Sequence, residues 1–168
     1  MTRPGQALTE LLRGKGAHAD PVACVEDISC DLASKQVAGF PHSIAQLLFH
    51  INYWMDYELR RMRGARPKYP EHNAESFPPV PVVDPQEWER LRSQFSHLLA
   101  EYAALAQASW TELDRQVESS HDGDTKVAGT VEAVLWQMVA HTSYHVGQIA
   151  FLRRALGVWP PRAGGDSW

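Results

Sequence analysis

Apolar residues recur in steps of three and four along three long stretches of this chain, and each stretch carries its own start and stop signals. The first begins at the capping box Ser43 to Gln46, behind Pro41, and continues through Leu47, Leu48, Ile51, Trp54, Met55 and Leu59 until Arg60, Arg61 and Gly64 close it. That pattern predicts a helix of about six turns. The second opens at Asp84-Pro85-Gln86-Glu87, an N-cap with proline at the first helical position and glutamate at the third, the strongest helix start in the chain. Trp88, Leu91, Phe95, Leu98, Tyr102, Leu105 and Leu113 carry its stripe, so this helix is expected to end near Val117. The third runs from about Thr130 to Leu156, with Val134, Met138, His141, His145, Gln148 and Leu152 on one stripe and Arg153, Arg154 and Gly157 at its end.

Shorter elements fill the N-terminal part. A helix is expected over Gln6 to Leu12, and Asp20-Pro21, an N-cap followed by proline, opens a short segment through Val22, Val25 and Ile28. Between the first and second long helices, Ala65 to Val83 contains Pro67, Pro70, Pro78, Pro79 and Pro81 and no helical period, which predicts a long crossing loop. Glu118 to Gly129, rich in Ser, Asp and Gly, reads as another loop. The segment from Trp159 to Trp168 cannot continue a helix and is expected to pack back through its tryptophans. Nothing in the pattern suggests a repeat or a second domain, so residues 1–168 read as one domain.

The histidines change the picture from fold to chemistry. His141 and His145 lie four apart on an inward helical stripe, which puts them on one face at about 5 to 6 Å between Cβ atoms. His50 falls on the inward stripe Leu47, His50, Trp54, Tyr57 of the other capped helix. Buried imidazoles need partners, and three of them from two helices can form one facial nitrogen set for a divalent metal. The competing reading is that they bond one another or nearby polar groups in the core. Zn²⁺, Ni²⁺ and Fe²⁺ all accept three imidazoles, and the sequence does not choose among them. Gln148 and Tyr144 are candidates for orienting a ligand or substrate, although Gln148 equally suits a polar core position bonded to backbone. Trp54, Tyr57, Trp136 and Tyr144 could line a pocket or serve as plain core. His18, His42, His72, His97 and His121 read as solvated or locally bonded. A zincin is excluded because Thr142, Ser143 and Tyr144 leave no glutamate between the histidines. A di-iron carboxylate bundle is excluded because neither Asp56 nor Glu58 falls on the His50 stripe.

Composition narrows the function further. With 44% apolar and 21% charged residues the chain is ordinary for a globular domain and needs no staple to fold. A net charge of -4 and no basic run beyond the pairs Arg60-Arg61 and Arg153-Arg154 argue against nucleic acid as a partner. Neither a signal peptide nor an apolar run long enough for a membrane span is present, so a cytoplasmic location is expected. Cys24 and Cys30, six apart, match neither a zinc knuckle nor a redox pair and read as reduced, partly buried thiols.

Pro41-His42-Ser43-Ile44, Leu47-Leu48-Phe49-His50, the run from His141 through His145 to Gln148 and Ile149, and the closing Gly157 with Trp159-Pro160-Pro161 together resemble the DinB-like superfamily, which includes the YfiT-like metal-dependent hydrolases. The resemblance covers about Gln6 to Trp168. It implies an all-α, four-helix up-down-down-up bundle with the long crossover between its second and third helices, and a three-histidine metal site at His50, His141 and His145. It also implies homodimers and thiol-dependent transferase or isomerase chemistry on small-molecule substrates with low-molecular-weight thiols. Three functions follow for testing: a metal-dependent enzyme activating a small thiol or water, a non-catalytic metal- or small-molecule-binding stress protein, and a helical dimerisation module with satisfied core histidines.

Overall fold

A computed structural model of the protein describes residues 4–78, 84–118 and 127–164. In chain order these form helices α1 (Pro4–Leu12), α2 (Ala23–Glu26), α3 (Cys30–Ser34) and α4 (Ile44–Met62), a 3-10 turn (Asn73–Ser76), α5 (Pro85–Ala106) and α6 (Trp110–Leu113), strands β1 (Gln116–Glu118) and β2 (Val127–Thr130), and α7 (Val131–Ala155). The fold is all-α apart from this one antiparallel ribbon among the described residues. Pro79, Pro81, His121 and Trp168 lie outside them.

The three long helices begin where their caps dictate. Gln46 N–H donates to the Ser43 hydroxyl while Ser43 N–H donates to Gln46 Oε1 at 2.9 Å, completing the capping box of α4. Asp84 accepts from Gln86 N–H at 2.9 Å, and Thr130 accepts from Ala133 N–H at 3.2 Å. Fixing the first residue of a helix fixes the rotational phase of every later side chain, so these caps decide which residues face the core.

Helices α1 and α4 each pack against both α5 and α7. The enclosed core draws Leu8 and Leu12 from α1, Leu48, Ile51 and Met55 from α4, Leu91 and Phe95 from α5, and Leu135, Met138 and Ile149 from α7. Polar ties register the helices: Asn52 Nδ2 donates to the Leu91 carbonyl at 2.9 Å, Tyr102 O–H to that of Met55 at 2.9 Å, and Trp88 Nε1–H to that of Ile28 at 3.0 Å. At Gly5 a Cβ would stand 2.0 Å from the Ala106 carbonyl oxygen, so the close approach of α1 to the end of α5 needs glycine.

Several expectations are corrected. Helix α5 stops at Ala106, well short of Val117. Ser109 starts a separate turn, α6, by accepting from Glu112 N–H, and Gln107 Nε2 crosses to the Gly5 carbonyl and Thr9 Oγ1. Part of the expected loop is strand: Val117 pairs with Gly129 and is buried, while its neighbours Gln116 and Glu118 face outward. One buried residue is too short an alternation to read in a sequence. The segment after Asp20 is two short helices, because Ser29 caps a new one by accepting from Leu32 N–H. Cys24 and Cys30 are free and buried, and burial pushes the Cys24 thiol up to about 11.

At the far end of α7, Arg153 is buried rather than solvated. It donates to Asp27 Oδ1 at 2.7 Å, to the Cys24 carbonyl at 2.9 Å and twice to the Val158 carbonyl, tying α2 and the C-terminal segment to α7. Trp159 packs against the core with the Arg154 guanidinium 4.2 Å from its ring centre. No helix among the described residues is long and apolar enough to cross a membrane.

Candidate metal centre

Helix α4 supplies His50, and α7 supplies His141 and His145 one turn apart, so the packing of α4 on α7 brings all three imidazoles together. Ring centroids are 5.3 Å apart for His50 and His141, 4.8 Å for His50 and His145, and 4.5 Å for His141 and His145. One nitrogen from each lies within 4.8 Å of the others.

Hydrogen bonds orient two of the rings. The Ser76 hydroxyl donates its only proton to the Asn73 carbonyl at 2.7 Å, so it can only accept from His50 Nδ1–H, 2.9 Å away. His145 Nδ1 lies 2.6 Å from Gln148 Oε1, an acceptor, and therefore also carries its proton. Both rings keep an unprotonated Nε2, the tautomer a metal ligand needs. His141 Nδ1 is buried without a hydrogen-bond partner among the described residues. An orphaned imidazole nitrogen beside two lone pairs fits a divalent cation better than a closed hydrogen-bonded triad.

The electrostatics favour the same state. Burial, then the charges of His145 and His141, push His50 down to about 3 against a weaker upward pull from Ser76. Burial and His145 push His141 down to about 4. Burial also lowers His145, opposed by its bond to Gln148. All three stay neutral near pH 7, leaving lone pairs free for a Lewis acid.

The surroundings depart from the sequence reading in places. Phe77 is sandwiched between His42 and His50, with centroid distances of 4.0 and 4.3 Å, so His42 is a half-buried flank of the site and not a solvated residue. His18 bonds the adjacent Ala19 carbonyl through Nδ1 at 2.8 Å, and His72 and His97 are exposed, as expected. Gln148 holds His145, whereas Tyr144 is 64% exposed and touches His145 only by its ring edge, at 5.0 Å between centroids. Trp136 is exposed and bonds Glu132, away from the histidines.

A cleft of about 200 Å³ opens beside His141, lined by Trp54, Glu58, Tyr69, Gln137 and Met138. Glu58 is the residue that the stripe argument set aside. Four-residue steps from His50 reach Trp54 and then Glu58, drifting only about 40° per step, so one broad helix face carries all three. Its side chain is buried, with Oε2 accepting from Arg61 Nη1 at 2.6 Å; burial pushes the carboxyl up, and the charge and hydrogen bond of Arg61 only partly oppose this. Ser76 and Phe77 had no such signal, since they lie in a loop without periodicity.

A helical fold that gathers three neutral imidazoles from two packed helices defines a class of protein able to hold one divalent ion. The chain belongs to the DinB superfamily, whose family model matches residues 16–149, a span that includes all three histidines. No curated protein and no solved structure matches the chain significantly.

Proposed function

We propose that this protein binds one divalent metal ion on His50, His141 and His145 and uses it to activate a small thiol or water against a small electrophile, as a thiol transferase or hydrolase. The observation that carries this reading is the donor set itself: two rings held with Nδ1–H outward by Ser76 and Gln148, and a third with a buried nitrogen that has no hydrogen-bond partner among the described residues. A bound ion with only neutral nitrogen ligands would supply Lewis acidity, lowering the pKa of a thiol or water. The chain's own residues do the rest. Ser76 and Gln148 hold the ligand protons, Phe77 covers one face of His50, and the cleft at His141 admits a small molecule. Membership in the superfamily supports the reading; a cytoplasmic setting, in which the free Cys24 and Cys30 would stay reduced, is part of the proposal. Homodimerisation, implied by the family resemblance, is part of the proposal and is read by light scattering on the eluting protein.

The test is elemental mass spectrometry of the purified protein beside His50→Ala and His145→Ala, followed by a screen of small thiols with electrophilic acceptors. About one metal per chain, lost in both variants, together with turnover abolished by His145→Ala is the expected outcome. Metal without any turnover across the screen would favour a non-catalytic binder whose ion stabilises the bundle. No metal after reconstitution with Zn²⁺, Ni²⁺ and Fe²⁺ would refute the site.

A further inference from the structure

We infer that the cleft beside His141 is a recognition subsite for a protonated amine, so that the small molecule reaching the metal centre carries an ammonium group. This deepens the proposed function and rests on it. The cleft combines an aromatic wall with a buried carboxylate. Trp54 and Tyr69 line it, 5.7 Å apart between centroids, and Tyr57, buried and not part of the lining, supports them at 5.4 Å from Trp54 and edge-on at 6.0 Å from Tyr69. Aromatic faces around a carboxylate attract organic cations through the ring quadrupole and the ion pair together. Trp54 also stands edge-on to His50 at 6.4 Å, so the aromatic wall runs from the histidines to Glu58.

Glu58 itself keeps acceptor capacity for a ligand. Its side chain is only 5% exposed, and among the described residues its ion pair is with Arg61, which divides its guanidinium between Glu58 and the Glu118 carbonyl at 2.9 Å. A carboxylate accepts several hydrogen bonds, and Arg61 engages only Oε2. A second donor from a ligand would relieve the remaining desolvation cost. At about 200 Å³ the cleft is smaller than the roughly 300 to 1,000 Å³ typical of drug-sized sites, so its occupant is small. Gln137, exposed at the rim, offers a further amide to such a ligand.

The experiment titrates 2-aminoethanethiol and 2-mercaptoethanol, thiols of similar size that differ in ammonium against hydroxyl, into the zinc-loaded protein by calorimetry. Wild type, Glu58→Gln and Tyr69→Ala are compared. The aminothiol is expected to bind wild type on the order of tenfold tighter, and this preference should fall in Glu58→Gln, which keeps the shape of the side chain, to the part set by the thiol pKa alone, and shrink less in Tyr69→Ala. The lower thiol pKa of the aminothiol acts alike in all three proteins, so only the Glu58-dependent part of the preference counts. A preference as large in Glu58→Gln as in wild type, or none in wild type, overturns the subsite while leaving the metal reading intact. If neither thiol binds, the thiol reading fails and propylammonium alone decides: saturable binding lost in Glu58→Gln supports the subsite, and its absence refutes it.

Discussion

Ser76 has one hydroxyl proton and gives it to Asn73, which leaves it an acceptor for the Nδ1 proton of His50. Removing that acceptor in Ser76→Ala leaves a partly buried N–H without its partner and frees the ring to change tautomer. Zinc affinity is expected to fall by about 10- to 100-fold with the fold intact, measured by competition with a chromogenic chelator; unchanged affinity would remove Ser76 from the site. The same residues set a pH dependence for the metal-free protein. His50 and His141, at about 3 and about 4, lie below the ordinary histidine value of 6.5. Above pH 6.5 neither folded nor unfolded histidines carry the charge, so stability is unaffected. Between about pH 6.5 and about pH 4 the unfolded chain takes up protons that the folded state refuses, so stability falls as pH falls. Urea midpoints at pH 7 and pH 5 should show the loss in wild type and a smaller one in His50→Phe; equal losses would clear His50. At this scale His50, His141 and His145 were legible because helical steps place them on inward stripes. Ser76, Phe77 and the flanking role of His42 were not, because their positions follow from how a loop lies against α4.

At the scale of elements, starts were more legible than ends. Ser43 and Asp84 cap their helices as the pattern predicts, and Thr130, expected only as the start of the third, caps it too, since a cap is a local bond between residues two or three apart. Asp84→Ala should cost about 1 kcal/mol, seen as a lowered denaturant midpoint with an unchanged slope. The end of α5 was misread because it depends on α1: the helix stops where Gly5 meets the Ala106 carbonyl and Gln107 reaches across to Thr9. Gly5→Ala should therefore destabilise, although alanine is the better helix former. The expected cost is about 1 to 3 kcal/mol from overpacking, and a neutral or stabilising result would show that α1 moves aside freely.

Across the whole molecule, Arg153 joins parts that lie far apart in sequence. Burial pushes the Asp27 carboxyl up, but the Arg153 hydrogen bond, the Arg162 N–H and the Arg153 charge more than offset it and hold it low. Breaking this pair with Arg153→Ala strands a partly buried carboxylate and three carbonyl contacts. A cost of about 3 kcal/mol or more is expected, read from thermal or urea unfolding, with the metal site unchanged in composition; a cost near zero would place the network among ordinary surface pairs. The amino-acid pattern alone determined the all-α class, the three long helices with the caps of the first two, and the inward placement of His50, His141 and His145, because each of these rests on bonds or periods within a few residues. The tertiary structure alone decided that the imidazoles meet, which of their nitrogens keep a lone pair, that Glu58 opens onto the same cleft, and where α5 ends. Those outcomes depend on which helices pack together and on what a loop presses against them, and no local period encodes such long-range contacts.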